Sequence, residues 1–337
     1  MRKLLSPFWL LTTGFALALA TFAVLWFYPS GDYIFLPDRA SPVAPLVTIK
    51  GERTPRDGGG IYFVDVFVRR ARLIEDVFPS IHDGASLVPA KAVNPPGGSD
   101  TARIAEDQRE MTRSQQIAAA VALRALGHKV DARPTGALVF AVASHAPATG
   151  RLQPGDVIVA VDGRSVRTPD DLRRLIGRHR PGEKVRLTVR SAKGLKQVVL
   201  KTVADPNDSS HPIIGVFVGQ AADIELPFPV RIDARGVGGP SAGLAFALDV
   251  MEELGRDVAH GYKVAATGEL SLDGTVGPVG AVKQKTIGAR TTKVDVFLVP
   301  AGDNAREARK YAHGLRIVPV QSFRQALQAL ATLPPKA

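Results

Sequence analysis

The segment Gly238-Gly239-Pro240-Ser241-Ala242-Gly243-Leu244 sets one serine among small residues, behind an extended stretch and ahead of an apolar run. A hydroxyl in that position suits attack on a carbonyl. The start of the following helix offers unpaired backbone N–H groups and the positive end of the helix dipole, and both favour a developing oxyanion. Gly238, Gly239 and Ala242 are the backbone positions that could hold that oxygen. The same residues also read as an ordinary helix start, with Ser241 as its N-cap and the glycines as a tight turn. A nucleophilic serine needs a base. None of the seven histidines has an informative context, and His260 and His313 lie in polar, loop-like stretches. A neutral lysine is the other option. Bringing an amine from about 10.4 to about 7.5 costs roughly 4 kcal/mol, which burial can impose. Lys283 follows the apolar, glycine-rich run 274–282, which predicts a desolvated amine. Lys285, about 200° further round a helix, reads as a solvated lysine, although spacing alone does not separate the two.

The serine must be carried by the segment 207–337, where strands and helices alternate. Residues 229–234, 264–272 and 294–299 read as strands, 242–254 as a buried helix and 321–330 as a closing helix. Upstream, 61–68 is β-prone, 91–108 reads as a polar loop, and a helical pattern begins at Ser114. Between these lies a block of its own character, 130–205. Its helix starts at Thr168-Pro169-Asp170-Asp171-Leu172, with an N-cap threonine, proline at the first position and acids in the first turn.

Leu152, Gly155, Asp156, Ile158, Val161 and Gly163 follow the pattern L-x-x-G-D-x-I-x-x-V-x-G, so block 130–205 resembles a PDZ domain. The resemblance implies binding of an extended peptide. Its carboxylate would lie at Thr135-Gly136-Ala137-Leu138, and its length between strand 138–142 and the helix bearing Leu172, Leu175 and Ile176. As plain structure, those three residues are core. Gly239-Pro240-Ser241-Ala242-Gly243, then Ala266-Thr267-Gly268-Glu269-Leu270, then residues 277–285 come in the order of the proteolytic domain of Lon-type serine peptidases, which this chain resembles. The resemblance implies Ser241 as nucleophile, Lys283 as base and Thr267 as the hydroxyl that holds the amine. It also implies a domain longer than 207–337, completed by 46–127 with the PDZ block inserted, and a tendency to homo-oligomerise. Gly238 stands where ATP-dependent relatives carry an acid. No G-x-x-x-x-G-K-[ST] occurs, so unpowered cleavage of flexible or unfolded segments is expected.

The expected architecture is thus an α/β (α+β) Lon-type proteolytic domain with a small β-rich PDZ domain and an N-terminal transmembrane helix. The last element rests on residues 8–28, uncharged, preceded by Arg2 and Lys3 and closed by Trp26, Phe27 and Tyr28. It places residues 1–30 as an anchor at the cell membrane, with the catalytic part outside the cytoplasm. The chain has 337 residues, no cysteine and a formal charge of +11. Thiol chemistry is excluded, and the dispersed basic residues with few aromatics argue against nucleic acid. The expected partners are protein or peptide substrates, and the dyad needs no metal or cofactor. Two other readings compete. One is a silent membrane scaffold. The other is an esterase, because Gly239-x-Ser241-x-Gly243 also fits a nucleophile elbow, with Asp295 and His313 as partners.

Overall fold

The computed structural model describes residues 7–49, 59–93, 100–143, 145–205, 208–234 and 236–334. Arg2 and Lys3, ahead of the expected anchor, and residues 94–99 of the expected 91–108 loop lie outside them. Helix α1 (Pro7–Phe27) carries no charge and is exposed along its apolar side chains, among them Leu11, Phe15, Leu17 and Phe22. The side chains of residues 7, 8 and 10 lie outside the described set, and among the described residues no helix is long and apolar enough to cross a membrane. The end of α1 is pinned to the body: Arg72 stacks over the Trp26 ring at 5.4 Å, and Leu73 N–H donates to the Tyr28 carbonyl at 3.1 Å.

The N-terminal portion continues with β1 (Pro29–Pro37), β2 (Ser41–Pro42), β3 (Gly60–Phe63) and β4 (Val66–Arg72). Helix α2 (Leu73–Val77), β5 (Ser86–Val88) and α3 (Asp100–Ala125) follow. Strands β4, β1 and β5 form an antiparallel sheet in that order. Helix α3 starts at Asp100 and not at Ser114, because the polar run ahead of Ser114 is the solvated side of a helix, laced by the Arg103–Asp107 pair at i,i+4.

The middle block holds β6 (Asp131–Val142), β7 (Val157–Val161), α4 (Pro169–Ile176), β8 (Lys184–Ser191), β9 (Gly194–Lys201) and β10 (Val216–Glu225). Its sheet runs β9-β8-β7-β6-β10. The Thr168 hydroxyl accepts from the Asp171 N–H, and the Asp171 carboxylate accepts from the Thr168 N–H, so α4 opens with the expected cap.

The last portion comprises α5 (Gly243–Glu253), β11 (Lys263–Ala266), β12 (Glu269–Leu270), β13 (Val276–Gly277), α6 (Val282–Thr291), β14 (Val296–Pro300), α7 (Asp303–Tyr311), β15 (Arg316–Val320) and α8 (Phe323–Ala331). Strands β2-β3-β11-β14-β15 form one sheet, parallel from β3 onward. Period-two alternation sends Val264, Ala266, Val296 and Leu298 to one core, with α3, α5 and α8. The same alternation sends Ala265, Phe297 and Val299 to a second core with α6 and α7. Strand β3 comes from before the middle block and β11 from after it, so this sheet and its larger core are built from both flanks of that block.

Candidate active site

Ser241 lies in a single 3₁₀ turn, Pro240–Ala242, directly ahead of α5. The N-cap of α5 is Ala242, and no side chain caps the helix. Ser241 is therefore not a capping serine. Gly239 sits at φ 81°, a region that favours glycine. Gly243 lies against Ser114 and Leu270, and an added Cβ would come within 2.8 Å of the Ser114 hydroxyl. The turn is tied on two sides. The Ser114 hydroxyl donates to the Pro240 carbonyl at 3.0 Å, and Gly239 N–H donates to the Asp107 carbonyl at 2.8 Å. From the link between β11 and β12 the Gly268 N–H donates to the Ser241 carbonyl at 2.8 Å, and the Thr267 hydroxyl does so at 3.1 Å.

The lysine that meets this serine is Lys285. Its Nζ lies 2.7 Å from Ser241 Oγ and 3.2 Å from Thr267 Oγ1, and the side chain is buried. Burial lowers its pKa from 10.5 to about 8, with the Asp65 carboxylate opposing part of that shift. Lys283, expected at this position, points elsewhere. Its amine donates to the Ala85 carbonyl at 2.8 Å, lies 3.4 Å from the Ser86 hydroxyl and sits 5.8 Å from the Tyr311 ring. The cause is helix phase. Helix α6 begins after Ala281, held at φ 57°, and Val282, Lys285 and Ala289 then share the face turned to the core. Lys283 falls about 200° round from Lys285 and turns to the loop between α2 and β5.

Of the residues expected to hold an oxyanion, Gly239 has its N–H committed to Asp107. Gly238 and Ala242 line the cleft with Ser241. A side chain at 238 would collide with Asp107, whose Cβ lies 2.6 Å from an ideal Cβ there. Ser114, which fixes the turn, is a contributor that the sequence reading did not single out. Its one sequence signal is a polar residue on the otherwise apolar face of α3 (Met111, Ile117, Ala118, Val121). The esterase partners are not assembled. Asp295 accepts from the Lys263 N–H at 2.7 Å, and His313 is an exposed residue in the turn after α7.

The expected peptide groove in the middle block is also placed differently. Thr135, Gly136, Ala137 and Leu138 lie inside β6. Ala137 and Leu138 pair with β7 on one side, and the same stretch pairs with β10 on the other (Leu138↔Gly219, Ala137↔Gln220, Gly136↔Ala221). Both edges of β6 are thus taken, and no peptide can add there. Leu172, Leu175 and Ile176 are buried in the block's own core, with Ile158, Leu187 and Val189. The strand left at that end of the sheet is β10, which follows Gly215 at φ 70° and contacts α4.

A cleft of about 560 Å³ opens above Ser241 and Lys285. A buried lysine poised on a serine hydroxyl, with a threonine behind the amine, can take a proton from that hydroxyl without a histidine.

Two family models match the chain: the PDZ domain over residues 123–202 and the Lon protease (S16) C-terminal proteolytic domain over residues 221–332. Among curated proteins, Lon protease 2 of Bacillus subtilis is 32% identical over 113 residues, which is 34% of this chain and 20% of that protein. Lon protease of Helicobacter pylori strain 26695 is 35% identical over 115 residues, 33% of this chain and 13% of that protein. The chain spans about a fifth or less of the length of these relatives. Among solved structures, the PDZ domain of an SdrC-like protein from Listeria innocua is 26% identical, covering 25% of this chain and 92% of that one at a TM-score of 0.23. The chain therefore joins a PDZ domain and a Lon-type proteolytic domain on one polypeptide.

Proposed function

We propose that the protein is a serine endopeptidase in which Ser241 is the nucleophile and Lys285 the general base. The observation that carries this reading is the 2.7 Å approach of a buried Lys285 amine to Ser241 Oγ. Neutral Lys285 takes the Ser241 proton as Oγ bonds to the scissile carbonyl carbon. The ammonium so formed then protonates the leaving amine, and the C–N bond breaks to give an acyl-serine. Water, deprotonated by the same amine, releases the acid. The first N–H groups of α5 are taken, Gly243 by the Pro240 carbonyl and Leu244 by the Gly268 carbonyl at 3.2 Å, so the Ala242 N–H, beside Ser241 on the cleft wall, is assigned to the developing oxyanion. Thr267, hydrogen-bonded to both the amine and the Ser241 carbonyl, keeps the two reacting groups in register.

In this reading the PDZ domain captures extended peptide segments on the β10 edge beside α4, and cleavage runs without ATP on flexible or unfolded chain. The uncharged, exposed α1 acts as the anchor, holding the catalytic part at the outer face of the cell membrane. The test is hydrolysis of casein by the full chain and its variants. Ser241→Ala and Lys285→Ala each abolish turnover, whereas equal turnover by all three proteins refutes the assignment.

A further inference from the structure

The cleft above Ser241 has a distinct lining. One wall is β4, which supplies Val66, Phe67 and Val68. Strand β4 ends its sheet: β1 takes one edge through Val66↔Pro37, Phe67↔Leu36 and Val68↔Phe35, and the other edge has no strand on it among the described residues. An extended chain can add there and pass over Ser241. The remaining walls carry four carboxylates, Asp38, Asp65, Asp107 and Glu110, and Lys285 is the one basic side chain among the lining residues. This is an inversion of the chain's balance, in which 43 Lys and Arg outnumber 32 Asp and Glu.

The four acids are not equivalent. Asp107 is paired with Arg103 at 2.9 Å. Asp38 and Asp65 repel each other: the Asp65 carboxyl is raised from its ordinary value, first by burial and then by Asp38, and Lys285 offsets only part of that rise. A cation set between them would relieve that repulsion. Its own position would be fixed by two carboxylates a short way from the nucleophile.

We propose that the cleft selects protein segments with a lysine or arginine next to the scissile bond, the backbone added to β4 and the cationic group held by Asp38 and Asp65. The proposal rests on the peptidase reading and adds a substrate class to it. The mixed lining accounts for both parts of such a substrate. Phe67, 55% exposed, offers apolar surface for the neighbouring side chains, while the acids take the charge.

The test is cleavage of a random peptide library by the full chain in detergent, with the cut sites read by mass spectrometry. Lysine and arginine should be enriched at one position flanking the cut. The enrichment should fall about fivefold or more in Asp38→Asn, and again in the wild type when salt rises from about 0.05 to about 0.5 M. Asp65→Asn, which removes the other carboxylate, gives a second variant should Asp38→Asn be unstable, and it should lower the ratio of basic to neutral cuts in the same direction. Cleavage that Ser241→Ala abolishes, but with no basic enrichment or with enrichment unchanged in both variants, overturns the proposal and leaves the peptidase reading standing. No cleavage at all by the wild type overturns both.

Discussion

Replacing Lys285 by methionine should alter two pH dependences at once, and both follow from one buried amine. In the folded chain Lys285 loses its proton at about 8; a free lysine does so at 10.5. At pH 7 about a tenth of the molecules hold the neutral amine, and at pH 9 about nine tenths do, so kcat/KM should rise about tenfold over that range. Stability is linked to the same proton. Between about 8 and 10.5 the unfolded chain binds more protons than the folded one, so stability rises with pH across that window. Below about 8 both states are protonated and the fold carries the whole cost of burying a cation; above 10.5 the cost is gone. The gap between the two values corresponds to about 3 kcal/mol. Lys285→Met has no proton to lose, so its stability relative to wild type should decline by about 3 kcal/mol between pH 7 and pH 11. Any constant gained or lost by packing of the thioether cancels in that difference. Denaturant midpoints of both proteins across this range, together with wild-type peptide hydrolysis, measure the two limbs. Parallel stability curves, or a rate that first rises above pH 9.5, would refute the idea that a desolvated Lys285 is the base.

Other substitutions separate the site's parts. Lys283→Ala should keep peptidase activity and cost about 1 kcal/mol or less in the denaturant midpoint, because its amine bonds the Ala85 carbonyl and not Ser241. Thr267→Val preserves shape but removes the 3.2 Å partner of Lys285; kcat should fall about tenfold or more with KM little changed. Gly288→Ala would drive a methyl into the Asp38 carbonyl oxygen. Calorimetry should then show a destabilisation of about 1–3 kcal/mol, with activity reduced because α6 carries Lys285.

Ser241 was legible because glycines stand two residues to either side of it, and Thr267 only through the resemblance of Ala266-Thr267-Gly268-Glu269-Leu270 to the Lon-type block. The lysine was harder. Lys283 follows the apolar run directly and looks desolvated on that ground alone. The deciding fact is where α6 begins, set by Ala281 in a left-handed conformation. The spacing Val282, Lys285, Ala289 is an i, i+3, i+7 stripe and was the one usable signal. In the middle block, local pattern gave the helix start at Thr168, yet the strand that occupies the second edge of β6 comes from beyond residue 205. A pairing between residues 138 and 219 has no local signature. The helix over 100–113 was missed because a solvated helical face and a polar loop share a composition.

The way the PDZ domain is joined to the rest carries a consequence for how such a chain can be rebuilt. It leaves the proteolytic core on β6 and returns on β10, and the two strands are paired at the crossing, Ala132 opposite Ile224, both packed on that core. Paired Cα atoms lie only about 5 Å apart. The stumps left by excising everything between them would already be neighbours, and a two-residue turn suffices to join them. The same geometry means the domain hangs from a two-stranded ribbon and not from a single-chain linker. Two paired strands do not let it spin freely, so any segment held on its edge keeps a bounded distance and heading toward Ser241.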